Sequence, residues 1–276
     1  MRAVLLIALA LAGAPAFAQM GSFELLDDPV LGQSVTAIQD DMAKPGAEAR
    51  FRAGVGLGVG IAPNFPGSDR YRTGLAPVVF AGYGPMFFAL NQIGVRAYRD
   101  QRWIVSGFLA LNGGRKESED ARLQGLGNIN RTFRAGVRVT YREGPFIAVG
   151  QVSTDVAGEN QGTIARLDLF GRTRAGERTV LYGGPGLTWV DKEYAQSYFG
   201  VTAEQSANSN VGLRPFNAGS GVNSVRLSGG AFHRFGGKWI GMANLSAARL
   251  TGDATHSPIT EVKEEFLFFS GLMYVF

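Results

Sequence analysis

Arg131-Thr132-Phe133-Arg134-Ala135-Gly136-Val137-Arg138-Val139-Thr140-Tyr141-Arg142-Glu143 is the stretch on which the fold turns. Phe133, Ala135, Val137, Val139 and Tyr141 share one side of an extended chain. Arg134, Gly136, Arg138, Thr140 and Arg142 share the other. Successive side chains of a strand point to opposite faces, so strict alternation means one apolar and one polar face. Residues 162–175 repeat the pattern, with Ala165, Leu167 and Leu169 against Arg166, Asp168, Arg172 and Arg174. Trp103, Val105, Leu109 and Leu111 alternate similarly within 101–112. Strands of soluble proteins are typically about five to six residues long. These stretches run to roughly ten or more, the length a tilted strand needs to cross a bilayer. The expected fold is all-β: a transmembrane antiparallel up-and-down β-barrel.

Connection lengths give an independent signal. Short turns are expected at Tyr83-Gly84-Pro85, Arg99-Asp100-Gln101, Glu143-Gly144-Pro145, Ala175-Gly176-Glu177 and Gly236-Gly237-Lys238. Long loops are expected at 63–70, 113–130, 194–221 and 252–261. Outer-membrane barrels join short periplasmic turns to longer extracellular loops. That parity requires two short strands within 85–99, with a tight turn near Gln92 to Gly94. The count is then 12 strands, even as bacterial barrels require, with 10 as the alternative. Tyr71, Tyr83, Trp103, Tyr141 and Trp239 stand near strand ends, where interfacial aromatic girdles sit. In the final strand, Leu272, Tyr274 and Phe276 share a face. A terminal aromatic on an alternating strand resembles the signal read by barrel-assembly machinery.

Composition agrees. The 276 residues include 39 Gly and 11% aromatics. Gly is poor in helices, so this mixture reads as strands with turns and close backbone approaches. Gly54, Gly56, Gly58 and Gly60 alternate with Val55, Leu57, Val59 and Ile61. A dinucleotide-binding loop needs a helix after its glycines; here Pro63 follows. The stretch reads instead as a first strand, greasy towards lipid and bare towards the lumen.

The N-terminus reads as an export signal. Arg2 is the positive end, Val4 to Leu11 the apolar core, and Ala16-Phe17-Ala18 the cleavage site. Residues 1–18 are thus expected to be removed, with cleavage after Ala18. Residues 19–50 carry Asp27-Asp28 and Asp40-Asp41 and lack a period-2 pattern. They are expected to form a periplasmic arm, with a helical turn around Val35 to Met42, ahead of a barrel over 51–276. Past residue 18 no apolar run is long enough for a transmembrane helix. The chain has no Cys, so neither a disulfide framework nor a lipidated Cys is available. Without Arg2, 26 basic residues face 23 acidic ones. The basic residues are scattered rather than clustered, which argues against nucleic acid as a partner.

Candidate chemistry is sparse. Asp253, His256 and Ser257 lie close in sequence, but a Ser-His-Asp site is defined by convergence in space. His233 sits in a strand. No His/Cys cluster suggests a metal, and Asp27-Asp28 and Glu264-Glu265 read as solvated pairs. No catalytic residue, cofactor or metal is expected. The polar-face arginines are the candidate lumen-lining set: Arg134, Arg138, Arg142, Arg166, Arg172, Arg174 and Arg226. They would form either a packed inner network, favoured because side chains often fill small barrels, or the lining of an anion-friendly channel.

Several segments resemble the MipA/OmpV family (MltA-interacting protein, outer-membrane protein V). They are Gly56-x-Gly58 with Ala62-Pro63-Asn64-Phe65-Pro66-Gly67-Ser68-Asp69, and Tyr198-Phe199-Gly200-Val201-Thr202. To these add Arg249-Leu250-Thr251-Gly252-Asp253-Ala254 with Ser257-Pro258, and Gly271-x-x-Tyr274-x-Phe276. The likeness runs from Phe51 to Phe276. Phe65 stands where the family typically has Tyr, and His256 where a small or acidic residue is usual. The resemblance implies a 10- or 12-stranded outer-membrane protein. One member is described as a scaffold between a lytic transglycosylase and a bifunctional murein synthase; others are tied to osmotic or antibiotic response, adhesion and immunogenicity. The expected partners are therefore outer-membrane lipid and a periplasmic murein hydrolase and synthase. A narrow small-solute pore is the alternative. Asp69 and Asp253 are expected to bond neighbouring amides in structured extracellular turns.

Overall fold

The computed structural model describes residues 51–276, which form a closed antiparallel barrel of twelve strands. They are β1 (Arg52–Pro63), β2 (Tyr71–Tyr83), β3 (Met86–Ala89), β4 (Gln92–Arg99), β5 (Trp103–Asn112), β6 (Thr132–Glu143), β7 (Phe146–Asp155), β8 (Thr163–Ala175), β9 (Thr179–Val190), β10 (Gly221–Gly236), β11 (Trp239–Leu250) and β12 (Glu264–Val275). Each pairs with its sequence neighbours, and β12 closes onto β1 from Gly54↔Val275 to Ile61↔Phe268. Closure gives the backbone donors and acceptors of the first and last strands partners that lipid could not supply. The expected leader, its cleavage after Ala18 and the segment 19–50 lie outside the described residues.

Alternation assigns the faces as the sequence implied. Val55, Leu57, Val59 and Ile61 of β1 are exposed on the outside, as are Phe133 and Val137 of β6 and Leu167 and Leu169 of β8. Leu272 and Phe276 are exposed, with the Tyr274 ring packed edge-on against Phe276. Tyr71, Tyr83, Trp103 and Trp239 are exposed at strand ends, and Trp103 packs on Tyr141 at 4.6 Å. β1, β2, β3, β5, β11 and β12 each turn apolar side chains inward. Phe80, Phe87, Phe108, Met242, Phe269 and Met273 form one core there. Burying each such side chain is worth roughly 1.5–3 kcal/mol. The bare inner face of β1 makes room for it. A Cβ on Gly54 would run into the Phe80 ring, and one on Gly58 into the Phe269 ring.

The tight turn expected near Gln92 to Gly94 falls two residues earlier, at Leu90-Asn91. Leu90 takes a positive φ of 55° with its side chain buried in the apolar core. Packing holds it in a conformation its residue type disfavours, which no turn chemistry in the sequence announces. β3 pairs with β2 only over Phe80–Tyr83, so the outer half of β2 lacks that neighbour. The loop 113–131 is pinned beside it. Asp120 receives Arg70 Nη2 at 2.6 Å and Asn64 Nδ2 at 3.1 Å, and Arg72 stands 3.8 Å from Glu119.

The long connections are 64–70, 113–131, 191–220 and 251–263, with a shorter one at 156–162. They do not splay into solvent. Two apolar clusters join them over the barrel mouth. One holds Ile164, Val190, Ala195, Tyr198, Phe199 and Leu250; the other Phe65, Leu123, Leu126, Val201, Leu213 and Ile259. Two short helices lie in 191–220: α1 (Lys192–Phe199) and α2 (Ala203–Asn208). Asp191 caps α1 by accepting the Tyr194 N–H at 2.9 Å. Thr202 and Gln205 form a reciprocal capping box on α2.

Candidate functional site in the capped lumen

All seven arginines of the predicted set lie on the strand faces that point inward, but they divide by depth. β6 and β8 run from long loops to short turns, so residue number along them measures depth. Arg134 is nearest the cap and is 4% exposed. Its guanidinium donates to the carbonyls of Gln161 (3.0 Å), Ser153 (3.2 Å) and Gly162 (2.7 Å). Arg138, midway, donates to Gln151 Oε1 (2.9 Å) and Gln92 Oε1 (2.7 Å), with its head 5.0 Å from the Phe108 ring. Arg226 of β10 pairs with Asp168 of β8, the two side chains 7% and 1% exposed. Gly186 makes that pair possible, since a Cβ there would strike the Asp168 carboxylate. Arg142 and Arg172 are half-buried and Arg174 is exposed, all at the short-turn end. The bonds of Arg134 and Arg138 thus go to neutral carbonyl and amide acceptors, beside the Arg226–Asp168 ion pair.

Arg166 differs from the others. It neighbours Gln151 and Thr188 across the sheet. Two positions along β8, on the same inward face, Asp168 is paired with Arg226. The Arg166 Nε, like those of Arg134, Arg142 and Arg226, is buried without a hydrogen-bond partner, but its guanidinium makes none of the wall bonds that hold Arg134, Arg138 and Arg226, and the residue keeps part of its surface accessible.

The cap is what sequence reading located least well. Its segments are the motif segments, and they converge. Ser257 Oγ donates to the Phe199 carbonyl at 2.6 Å. The carbonyl of Gly67 accepts N–H groups of Glu261 (2.7 Å) and Val262 (3.0 Å). Arg115 is buried and donates to the Tyr198 carbonyl at 2.9 Å. Tyr194 and Tyr198 stack at 4.4 Å on the underside, with Arg134 5.9 Å from the Tyr194 ring. Two expectations need correction. Asp253 bonds a remote amide, accepting the Gly219 N–H at 2.7 Å, and Asp69 pairs with the Arg70 guanidinium at 3.4 Å. Glu264-Glu265 is not a solvated pair. Glu264 points out beside Arg249 at 3.6 Å, while Glu265 turns in and accepts the Gly67 N–H. Adjacent strand residues cannot share a face. The capping signals at Asp191 and Thr202-x-x-Gln205 were legible in the sequence but were not read as helices.

Asp253, His256 and Ser257 do not converge as a catalytic set. His256 is exposed, its Nδ1 3.1 Å from the Gly252 carbonyl, while Ser257 is turned into the cap. His233 Nδ1 lies 2.9 Å from Thr179 Oγ1. Among the described residues no group of three or more His, Asp or Glu is placed to hold a metal. Outside the spanning strands, burial raises the Glu119 carboxyl, with the Arg72 guanidinium opposing it. At the β4–β5 turn the Tyr98 hydroxyl and the amides of Trp103 and Arg102 hold Asp100 below its ordinary value.

The family model described as MltA-interacting protein MipA matches residues 55–276. The MltA-interacting protein of Escherichia coli K12 is 27% identical over 239 residues, 83% of this chain and 92% of that one. YiaT of the same organism, named as a candidate outer-membrane protein, is 23% identical over 226 residues, 80% of this chain and 90% of that one. Among solved structures, the KdgM porin aligns with a TM-score of 0.41 at 5% identity, covering 80% of this chain and 98% of that one. The translocator domain of the autotransporter NalP from Neisseria meningitidis aligns with a TM-score of 0.41 at 10% identity, covering 91% and 96%.

Proposed function

Because the chain belongs to the MltA-interacting protein MipA family, we propose that it is an outer-membrane interaction protein, not an enzyme, that offers its periplasmic side to a murein-acting partner. The observation that carries this reading is the cap. The long loops pack into two apolar clusters across one mouth, and the inner faces of half the strands are filled by core. A barrel so filled presents surfaces more readily than a passage. The printed name of the Escherichia coli relative says that it interacts with MltA. For this chain the same class of partner, a murein hydrolase, is the first to test, with a murein synthase as the second member of a scaffolded pair. The surface on offer comprises the short turns, where Arg102 and Glu143 pair at 3.0 Å with both side chains more than half exposed, and the segment 19–50. Such an exposed pair contributes little stability, which leaves its charges available to a partner.

The test is capture of a purified lytic transglycosylase by the chain in detergent. Retention is expected, and it should weaken when Arg99, Arg102, Arg178 and Lys238 are replaced together by Glu. No retention by the chain with residues 19–50 intact would sink the proposal. A narrow anion pore is the second reading, favoured by Arg142, Arg172 and Arg174 at the open mouth. Steady anion-selective current through the full chain in a planar bilayer, reduced by Arg138→Gln or Arg172→Gln, would bring it forward.

A further inference from the structure

We propose that the polar half of the lumen contains a binding site for one compact oxyanion, a phosphate or carboxylate group, held by Arg166 beneath Tyr194 and entered from the periplasm. The inference does not depend on which partner binds outside.

The first ground is charge. Arg134, Arg138, Arg166 and Arg226 face inward between the cap and mid-barrel. Among the described residues, the inward strand faces carry carboxylates at Asp155, Asp168 and Glu265. Asp155 is held by Thr132 and by the amides of Ala157 (2.9 Å) and Gln161 (3.0 Å). Glu265 is held by Gly67. Asp155 stands opposite Arg134 in the register and Asp168 is joined to Arg226, so four guanidiniums face two carboxylates in this band. Guanidinium charge withdrawn from water and left in excess is costly, and an anion would relieve it.

The second ground is geometry. Arg134, Arg138 and Arg226 are fixed by bonds to the wall. Arg166 shares the unpartnered Nε of Arg134 and Arg226 but lacks their bonds to the wall, and part of the residue remains accessible. Gln151, which accepts from Arg138, and Thr188 flank Arg166 across the sheet, and Arg134 stands 5.9 Å from the Tyr194 ring towards the cap. A planar guanidinium fork matches a bidentate oxyanion better than a single acceptor. The ligand must be small, because the opposite wall is closed by the Phe80, Phe87, Phe108 and Phe269 core.

The third ground is approach. Arg142 and Arg172, half-buried, and Arg174, exposed, line the short-turn mouth. A cleft lined by one sign of charge concentrates the opposite sign within it. The loop end, by contrast, is covered by α1 and its neighbours.

The anion has two possible sources: a solute, or the carboxylates of this chain's own Asp27, Asp28, Asp40 and Asp41. The experiment is calorimetric titration of inorganic phosphate into the chain in neutral detergent, with and without residues 19–50. Thermal unfolding in phosphate against chloride is the second readout. One saturable site per barrel is expected. Arg166→Gln should weaken it at least tenfold and abolish the phosphate-dependent rise in unfolding temperature. Arg166→Lys should weaken it less, having charge without the fork. Arg249→Gln, on the exposed rim, should leave it unchanged. Binding in both forms identifies a solute site. Binding only after deletion identifies the acidic segment as the resident anion, and both outcomes support the site. Absence of binding in both forms, or binding indifferent to Arg166→Gln, overturns it.

Discussion

At the scale of single residues, the lumen is governed by what is absent as much as by what is present. Gly58 is bare so that the Phe269 ring can lie against β1. Gly58→Val should cost about 1–3 kcal/mol by overpacking, measured by urea-dependent refolding into lipid vesicles. Adding Phe269→Ala should recover part of that loss, which a backbone effect alone would not allow. The Arg226–Asp168 pair makes an opposite kind of demand. Asp168→Leu leaves a buried cation beside Arg166 and should cost about 3–5 kcal/mol. The double variant Asp168→Leu/Arg226→Leu should be more stable than Asp168→Leu alone, because no unpaired charge is left behind. Equal losses in the two would show that the pair contributes through shape and not charge.

At the scale of elements, the strands follow from their own alternation, whereas the cap helices depend on tertiary support. α1 has eight residues and α2 six, too few to persist alone in water. They are held by capping and by the apolar clusters beneath them. Asp191 has a double part: it accepts the Tyr194 N–H at 2.9 Å and the Thr163 N–H at 2.7 Å, joining α1 to the start of β8. Gly162 beside it has φ +52°, and a Cβ there would meet the Asp191 carboxylate. Asp191→Ala should weaken this junction by about 0.5–2 kcal/mol. Hydrogen exchange should then quicken across Tyr194–Phe199 while the β6 and β8 amides keep their protection. Loss of protection throughout the barrel would mean that cap and wall form one cooperative unit.

At the scale of the whole molecule, the barrel is built in two unlike halves. One wall is an apolar core that needs no ligand; the other is a polar face rich in arginine and covered at one end. The covering should decide conductance. The full chain is expected to pass little current in a planar bilayer, and replacement of residues 192–219 by a short Gly-Ser linker should raise it and make it anion-selective. If both forms stay silent, the block lies in the lumen itself, at the level of Arg138 and the Arg226–Asp168 pair.

The strand set, its faces and the parity of its turns were written in the sequence, because side-chain alternation is a local property with period two and survives without tertiary context. Phe133 against Arg134 is enough to orient β6. The same alternation sets the seven arginines on the face opposite the exposed apolar residues. Their partners it does not set. Arg134 bonds carbonyls of residues 153–162 and Arg115 a carbonyl of residue 198, contacts made across distances that no sequence window spans. The Leu90-Asn91 turn was misplaced because packing, not turn chemistry, holds Leu90 at positive φ. The cap, likewise, exists only where Phe65, Phe199 and Ile259 meet. By itself the sequence determined a barrel with arginines on the polar faces of its strands; only the tertiary structure decided that one end is covered and that Arg226 meets Asp168, since burial and pairing depend on which distant segments the closed barrel brings together.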